Sequence, residues 1–339
     1  MNKVTKLGVS ALCGSLAAVS AANAGDLTVT GGVDMSWVSQ DNTAVGNPVG
    51  MGSNLTFSGS GELENGWGVA LSVAMLNSDA YSNTNVTVTI PTMGALRIDQ
   101  GTSGTGIDRI DDVTPNVWEE AWGTNVGTGI DTVAGSSGGS TLEFTPNMTP
   151  DGLTLVGAYS PKANGSNAGD KASSGGGAAS ASGSGFDLTV TATDALHGMS
   201  GLTLYAGISE TEQFTDAAAI NGDKKEETFA IKYAMGNFTV GYQISEEDLG
   251  RASDPKQYEN DAYGITFQVN DDLSIGYNHY ESKQVSATST TASATSLQIA
   301  YSVGGASIRL ADTSADNAAY QTTAAYDKDG RVLSVSLAF

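Results

Sequence analysis

From residue 27 to the last residue, apolar and small polar side chains alternate with a period of two, and helical periodicity is nearly absent. The alternation predicts strands at 27–37, 54–63, 67–75, 85–90, 95–100, 140–145, 153–159 and 186–193. It predicts further strands at 202–209, 228–235, 238–245, 262–269, 273–282, 296–303, 306–312 and 332–339, which makes sixteen. The final run, RVLSVSLAF (331–339), shows the pattern at its clearest: Leu333, Val335, Leu337 and Phe339 point one way, and Ser334, Ser336 and Ala338 the other. Such a strand fits the half-buried sheet of a soluble protein and, equally, a strand with lipid on one face and water on the other.

The connections decide between these. Tight polar turns (Glu64-Asn65-Gly66, Pro91 to Gly94, Gly236-Asn237, Asn270 to Asp272, Gly304-Gly305) interleave with long polar loops near 38–53, 160–185, 211–227 and 246–260. In an up-and-down meander alternate connections lie at the same end, so one end carries turns and the other loops, as in transmembrane β-barrels. An even strand count returns the two chain ends to one side. NAAYQTTAAY (317–326) is a candidate seventeenth strand, but its outward Ala and Thr have little to bury, and 313–330 is read as the last external loop. A soluble sandwich or solenoid of sixteen strands lined with Thr, Ser, Gly and Ala would have a poorly filled core. A barrel of about 16 strands encloses an aqueous channel, and its small polar face meets water. Aromatics near strand ends (Trp67, Phe238, Tyr263, Tyr277, Tyr301 and Phe339) suit interfacial girdles.

The N-terminus adds a compartment. Lys3 and Lys6, an apolar stretch from Leu7 to Ala22 and the small-x-small run Ala22-Asn23-Ala24 read as a secretory signal over 1–24, with the mature chain, 25–339, starting at Gly25. The apolar stretch is shorter than the ~20 residues of a spanning helix. Cys13, the single cysteine, follows Leu12 rather than a small residue, which argues against lipoprotein processing and leaves the mature chain without a disulfide or thiolate site. Removing Lys3 and Lys6 from the 15 basic residues leaves 13 against 37 acidic ones. That surface repels nucleic acid and attracts cations.

One connection is exceptional. Residues 101–139 separate the fifth and sixth strands, whereas loops beyond about 12–15 residues are usually functional or disordered. Within it TPNVWEEAWG predicts a short helix, with Pro115 in its first turn and Gly123 as its stop. Val117, Trp118, Ala121 and Trp122 would form its apolar side and leave Glu119 and Glu120 facing another way. Enzyme readings fall short. GSSGG (135–139) has G-x-S-x-G spacing without the strand-to-helix elbow, the two histidines, His197 in a short turn and His279 on a strand, read as surface or interface residues, and no H-E-x-x-H or G-K-[ST] motif occurs.

With its signal peptide, sixteen-strand pattern, long third external loop and terminal Phe339, the chain resembles the Gram-negative general porins, in particular the alphaproteobacterial kind. The resemblance spans the mature chain and rests on architecture more than on a residue motif. It implies an all-β fold, a 16-stranded antiparallel transmembrane β-barrel in the outer membrane, with the third loop folded into the lumen as a constriction. It also implies a homotrimer, lipid and lipopolysaccharide around it, small hydrophilic solutes as cargo, recognition of Phe339 by the barrel assembly machinery, and no cofactor. Loop acids carried over to the constriction are Asp108, Asp111, Asp112, Glu119, Glu120 and Asp131. For the opposing wall, strand parity turns Arg97, Lys232 and Arg309 inward, because a charge on the lipid face costs about 2–4 kcal/mol at midplane. The family's dense arginine ladder is missing, which tips the expected preference toward cations. Arg109 is expected to pair with a neighbouring Asp, and the acids at 226–227 and 246–248 to sit on solvated loops open to divalent cations. The competing reading is a secreted or surface-layer β-rich structural protein or adhesin, which shares the signal and acidity but requires neither an even strand count nor a terminal aromatic.

Overall fold

The computed structural model describes residues 27–41, 47–77, 79–100, 104–124, 126–136, 140–163, 182–214 and 220–338. The signal segment, the start at Gly25 and Phe339 lie outside these residues. Sixteen strands follow in chain order: β1 (Thr28–Gln40), β2 (Val49–Glu62), β3 (Gly68–Leu76), β4 (Asp79–Ile90), β5 (Gly94–Gln100), β6 (Thr141–Pro146), β7 (Leu153–Ser160) and β8 (Ser182–Ala192). The second half comprises β9 (Leu202–Gln213), β10 (Lys224–Met235), β11 (Phe238–Asp248), β12 (Gln257–Gln268), β13 (Leu273–Val285), β14 (Thr290–Val303), β15 (Ala306–Asp316) and β16 (Lys328–Ala338). Each pairs antiparallel with its sequence neighbour, and β1 pairs with β16 to close the barrel. Closure leaves no free edge, so the apolar alternation of the last strand does not invite aggregation. Its register, Val33 with Leu337, Met35 with Val335 and Trp37 with Leu333, places large apolar side chains side by side on the outer surface.

The two-residue period sorts the faces. Phe229, Ile244, Ile265, Leu297, Ile299, Ile308 and Leu310 all point outward and are more than one-third exposed. The opposite parity carries Gln243, Ser296, Gln298, Thr313 and Ser334, which are buried inside. Buried polar positions on an inner face mean that something fills the barrel there. Trp67, Phe238, Tyr263 and Tyr301 are exposed at the ends of the apolar band, as the girdle reading expects.

Several strands run further toward the loop end than alternation indicates. β10 begins at Lys224, β12 at Gln257 and β14 at Thr290. Beyond the apolar band their outward residues become Lys225, Glu227, Glu259, Asp261 and Ser293, so the hydrophobic signal stops while the hydrogen-bond ladder continues. The long loops are correspondingly shorter than expected. In particular the final loop is 317–327 rather than 313–330, with no seventeenth strand. The same extension corrects the reading of the acid pairs as solvated loops: Glu226 and Glu247 are 3% exposed and face inward from β10 and β11, whereas Glu227 and Glu246 face outward in register with each other.

Candidate functional site: the loop inside the barrel

The predicted helix at 115–123 does not form. The helical piece of the loop is instead a short 3-10 turn at Gly106–Ile110, and residues 111–120 are irregular, ending in a turn closed by Gly123 N–H to the Glu120 carbonyl at 2.9 Å. Barrel side chains take the place of helical hydrogen bonds. Gln243 on β11 accepts from Val113 N–H at 2.9 Å and donates to the carbonyls of Ile110 and Asp111, each at 2.8 Å. Gln298 on β14 accepts from Trp118 N–H at 3.2 Å and donates to the Glu119 carbonyl at 2.5 Å, where Asn278 on β13 also donates. These amides satisfy backbone groups that are removed from water, which would otherwise be costly.

Three inward carboxylates hold the two ends of the loop. Asp187 on β8 accepts from Ile107 N–H at 3.1 Å and from Ser136 N–H at 3.0 Å, so one side chain pins both limbs. Glu226 accepts from Ala134 and Gly135 N–H at 3.0 and 2.7 Å. Glu143 on β6 accepts from Gly106 N–H at 2.8 Å and pairs with Arg109, which therefore reaches a wall glutamate rather than the neighbouring Asp expected from sequence. The wall is cut back where the loop lies on it. A Cβ at Gly264 would sit 2.2 Å from the Pro115 carbonyl oxygen, and one at Gly241 2.5 Å from the Pro115 ring. The apolar residues of TPNVWEEAWG face the wall without a helix: Val117 lies on Gly276, Ala121 packs with Val126, Ala294 and Ala315, and the Trp122 ring meets Tyr280 edge-on with centroids 6.2 Å apart. All of the strand residues among these partners have inward parity, so the loop lies within the barrel against β6 to β16.

The six loop acids separate into three settings. Asp108 accepts from Gly104 N–H at 2.5 Å within the loop's own root. Asp131 lies on the returning limb, where burial raises its pKa and the ammonium of Lys224 opposes the rise. Asp111, Asp112, Glu119 and Glu120 gather into one cluster, with Asp111 beside Asp112 and Glu120 beside both Asp112 and Glu119. Burial, then the neighbouring carboxylates, push Asp111 and Glu120 far above the usual carboxylate range, and burial raises Asp112 too. A raised carboxyl pKa means that the folded chain holds protons the unfolded chain has released. The associated stability is therefore present at low pH and is lost as pH rises above about 4 and through the raised values. Thermal unfolding in detergent should show wild type losing more stability between pH 5 and pH 8 than an Asp111→Asn/Glu120→Gln variant; parallel pH profiles would contradict the cluster's protonation.

All three parity-assigned cations are inward, in different roles. Arg97 pairs with Asp99 at 2.5 Å and with Glu143 at 3.4 Å, at the root of the loop. Arg309 pairs with Asp34 and lies 5.4 Å from the Trp118 ring centroid. Lys232 has no carboxylate partner among the described residues; its ammonium lies 5.5 Å from the Tyr205 ring centroid. Lys232 and Asp112 line the same cavity of about 600 Å³, walled by the hydroxyls of Thr203, Thr239 and Thr266 and on the loop side by Arg109 and Asn116. The cavity places a wall cation and a loop carboxylate around one volume.

The Gram-negative porin family matches this sequence over residues 8–307. The chain belongs to that family. Known porin structures share the fold at low sequence identity. The anion-selective porin from Comamonas acidovorans is 14% identical with a TM-score of 0.65, covering 93% of this chain and 99% of that one. OmpF from Salmonella typhi, in complex with daunomycin, is 12% identical with a TM-score of 0.65, covering 92% and 97%. The trimer form of OmpT from Vibrio cholerae is 12% identical with a TM-score of 0.61, covering 94% and 100%. No curated protein matches the sequence. Family membership makes this an outer-membrane β-barrel whose strands cross the bilayer, and displaces the reading as a secreted adhesin.

Within this porin the hydrolase pattern at 135–139 lies partly outside the described residues, which end at Ser136 and resume at Ser140; His197 sits in a helical turn between β8 and β9, and His279 faces outward with Thr295 at 2.8 Å. Among its described residues no cluster of three His, Cys, Asp or Glu is arranged to hold a metal ion. Sequence reading did not single out Glu143, Asp187, Gln243 and Gln298. The available signal was parity: each is a polar residue of inward parity on a strand, longer than the Thr, Ser, Gly and Ala around it.

Proposed function

We propose that this porin forms a water-filled passage for small hydrophilic solutes and ions, narrowed by the loop at 101–139 and preferring cations. The observation that carries the charge preference is the crowding of Asp111, Asp112, Glu119 and Glu120 on the lumenal loop, faced by Lys232, which has no carboxylate partner among the described residues. Burial and mutual repulsion hold protons on this cluster, so its pull on cations grows as pH rises and the protons leave. Arg97, Arg109 and Arg309 are each neutralised by a carboxylate, so they offer a passing anion little. The fold itself is compatible with either sign, since the Comamonas acidovorans relative is an anion-selective porin. Passage is down a gradient and calls for no cofactor. In this reading the chain assembles as a homotrimer, in line with the trimer form of the Vibrio cholerae relative. It sits among outer-membrane lipid and lipopolysaccharide, and Phe339 is the assembly signal read by the barrel assembly machinery. Reversal potentials in a potassium chloride gradient across a planar bilayer test the proposal. Wild type should favour potassium, more strongly as pH is raised and the cluster releases its protons, and a Glu119→Gln/Glu120→Gln variant should move toward neutrality and lose that pH dependence. A wild-type channel without preference would remove the cation reading, and unchanged selectivity in the variant would remove these two acids from the constriction.

A further inference from the structure

The last loop, 317–327, is expected from its sequence to stand outside the barrel, yet one of its side chains and one of its backbone groups are tied to the returning limb of the constriction loop. Tyr320 is 9% exposed, and its hydroxyl accepts from Asp131 N–H at 2.8 Å and shares a hydrogen bond with Ser282 on β13 at 2.8 Å. Its ring lies 5.2 Å from that of Tyr258 on β12, in a cluster that includes Ala292 and Ile130. Ala319 N–H donates to the Thr128 carbonyl at 2.6 Å, and Lys328, just after the loop, donates to the Gly127 carbonyl. The backbone is bent to reach this position: Asn317, Ala319 and Tyr320 hold φ of 53°, 51° and 58°. Residues other than glycine enter this left-handed region rarely, and they persist there when their surroundings over-determine the conformation.

We infer that loop 317–327 is a second narrowing element of the channel, and that Tyr320 is a positioning residue that clasps residues 127–131 of the constriction loop against β12 and β13. Resting on the channel reading above, it extends that reading from one loop to two. Middle residues of the constriction loop are held by Gln243 and Gln298, and its end by Glu226 and Asp187. Between Val126 and Asp131 the polar anchors come instead from Gln40, Lys328 and the last loop, through Val126 carbonyl, Gly127 carbonyl, Thr128 carbonyl and Asp131 N–H. Removing the Tyr320 ring opens the space between the limb and the wall and frees Asp131 N–H. Removing the hydroxyl alone leaves the ring packed on Tyr258.

Single-channel recording in planar bilayers tests this with Tyr320→Ala, Tyr320→Phe and wild type. Tyr320→Ala should conduct about 1.5-fold more, with greater open-channel noise, and Tyr320→Phe should stay near the wild-type conductance with intermediate noise. A second measurement guards against a misassembled variant. A Gly129→Cys/Ala319→Cys pair places the two Cβ atoms near disulfide reach, since the ideal Cβ at 129 lies 3.1 Å from that of Ala319. Oxidised and reduced channels of this pair should conduct alike if the clasp is the resting geometry; because Gly129 has φ of 61°, where a cysteine is strained, the comparison is between the two redox states of the same variant. Lower conductance on oxidation would mean that the loop stands outside the working channel, and the inference fails. It fails too if Tyr320→Ala conducts with wild-type amplitude and noise. Absence of any channel in wild type would instead overturn the underlying channel reading.

Discussion

Glu143→Ala is expected to destabilise the lumenal loop more than any other single change on the inner wall. The Glu143 side chain, 4% exposed, is the acceptor for Gly106 N–H and the partner of both Arg109 and Arg97. Truncation leaves two guanidinium groups facing each other and one buried N–H without its acceptor. Breaking a fully buried pair costs about 3–5 kcal/mol, and because Arg97 and Arg109 are 27% and 31% exposed the expected loss is nearer about 2–3 kcal/mol. Asp99 retains Arg97, so the loss concentrates on Arg109 and the 3-10 turn that carries Asp108. The checks are the unfolding temperature in detergent and the open-channel noise: the first should fall and the second should rise. Glu143→Gln, which keeps an acceptor for Gly106 but not the charge, should lie between. Wild-type stability in the alanine variant would show that the loop's root is held elsewhere.

Gly264→Val should narrow the channel from behind. A Cβ at this position meets the Pro115 carbonyl oxygen at 2.2 Å, far inside contact distance, and the atom it meets is backbone. The barrel wall is a hydrogen-bonded ladder, with Gly264 in register with Gly241 and Asn278, so the loop is the part that yields. Overpacking of this kind costs about 1–3 kcal/mol. The displacement carries residues 113–117 toward the axis, and conductance should drop by tens of per cent. Gly59 on β2, where a Cβ meets nothing within 4 Å, supplies the control: Gly59→Ala should leave conductance unchanged. Equal conductance in wild type and Gly264→Val would mean that Pro115 does not bound the passage.

Both predictions depend on residues that hold the loop, and these were the least legible in sequence. Glu143 and Asp187 sit in runs, STLEFT and FDLTVTAT, whose alternation reveals that they face inward but not what they meet there. Their partners are 37 and 80 residues away. The acids of the loop were recognisable as a group, because a long connection rich in carboxylates and tryptophans is unusual. Their division into a root acid, a cluster and a returning-limb acid depends on how the loop folds back. The failed helix at 115–123 has the same origin. Pro115 and Gly123 are sound local signals for a short helix, but a segment this short gains little from helical hydrogen bonds. Asn278 and Gln298 offered its backbone better partners across the lumen.

Strand number, antiparallel order, facing and closure all follow from a two-residue period and from where the turns fall, which are local properties that each segment carries in its own residues. The sequence by itself therefore determined the barrel and its outward apolar surface. Which inward groups are paired was decided only by the tertiary structure: Arg97, Arg109 and Arg309 are neutralised and Lys232 is left without a carboxylate partner among the described residues because a folded loop and a closed wall bring together residues remote in sequence. Electrostatic strength and desolvation depend on those distances and on burial. No period along the chain encodes them.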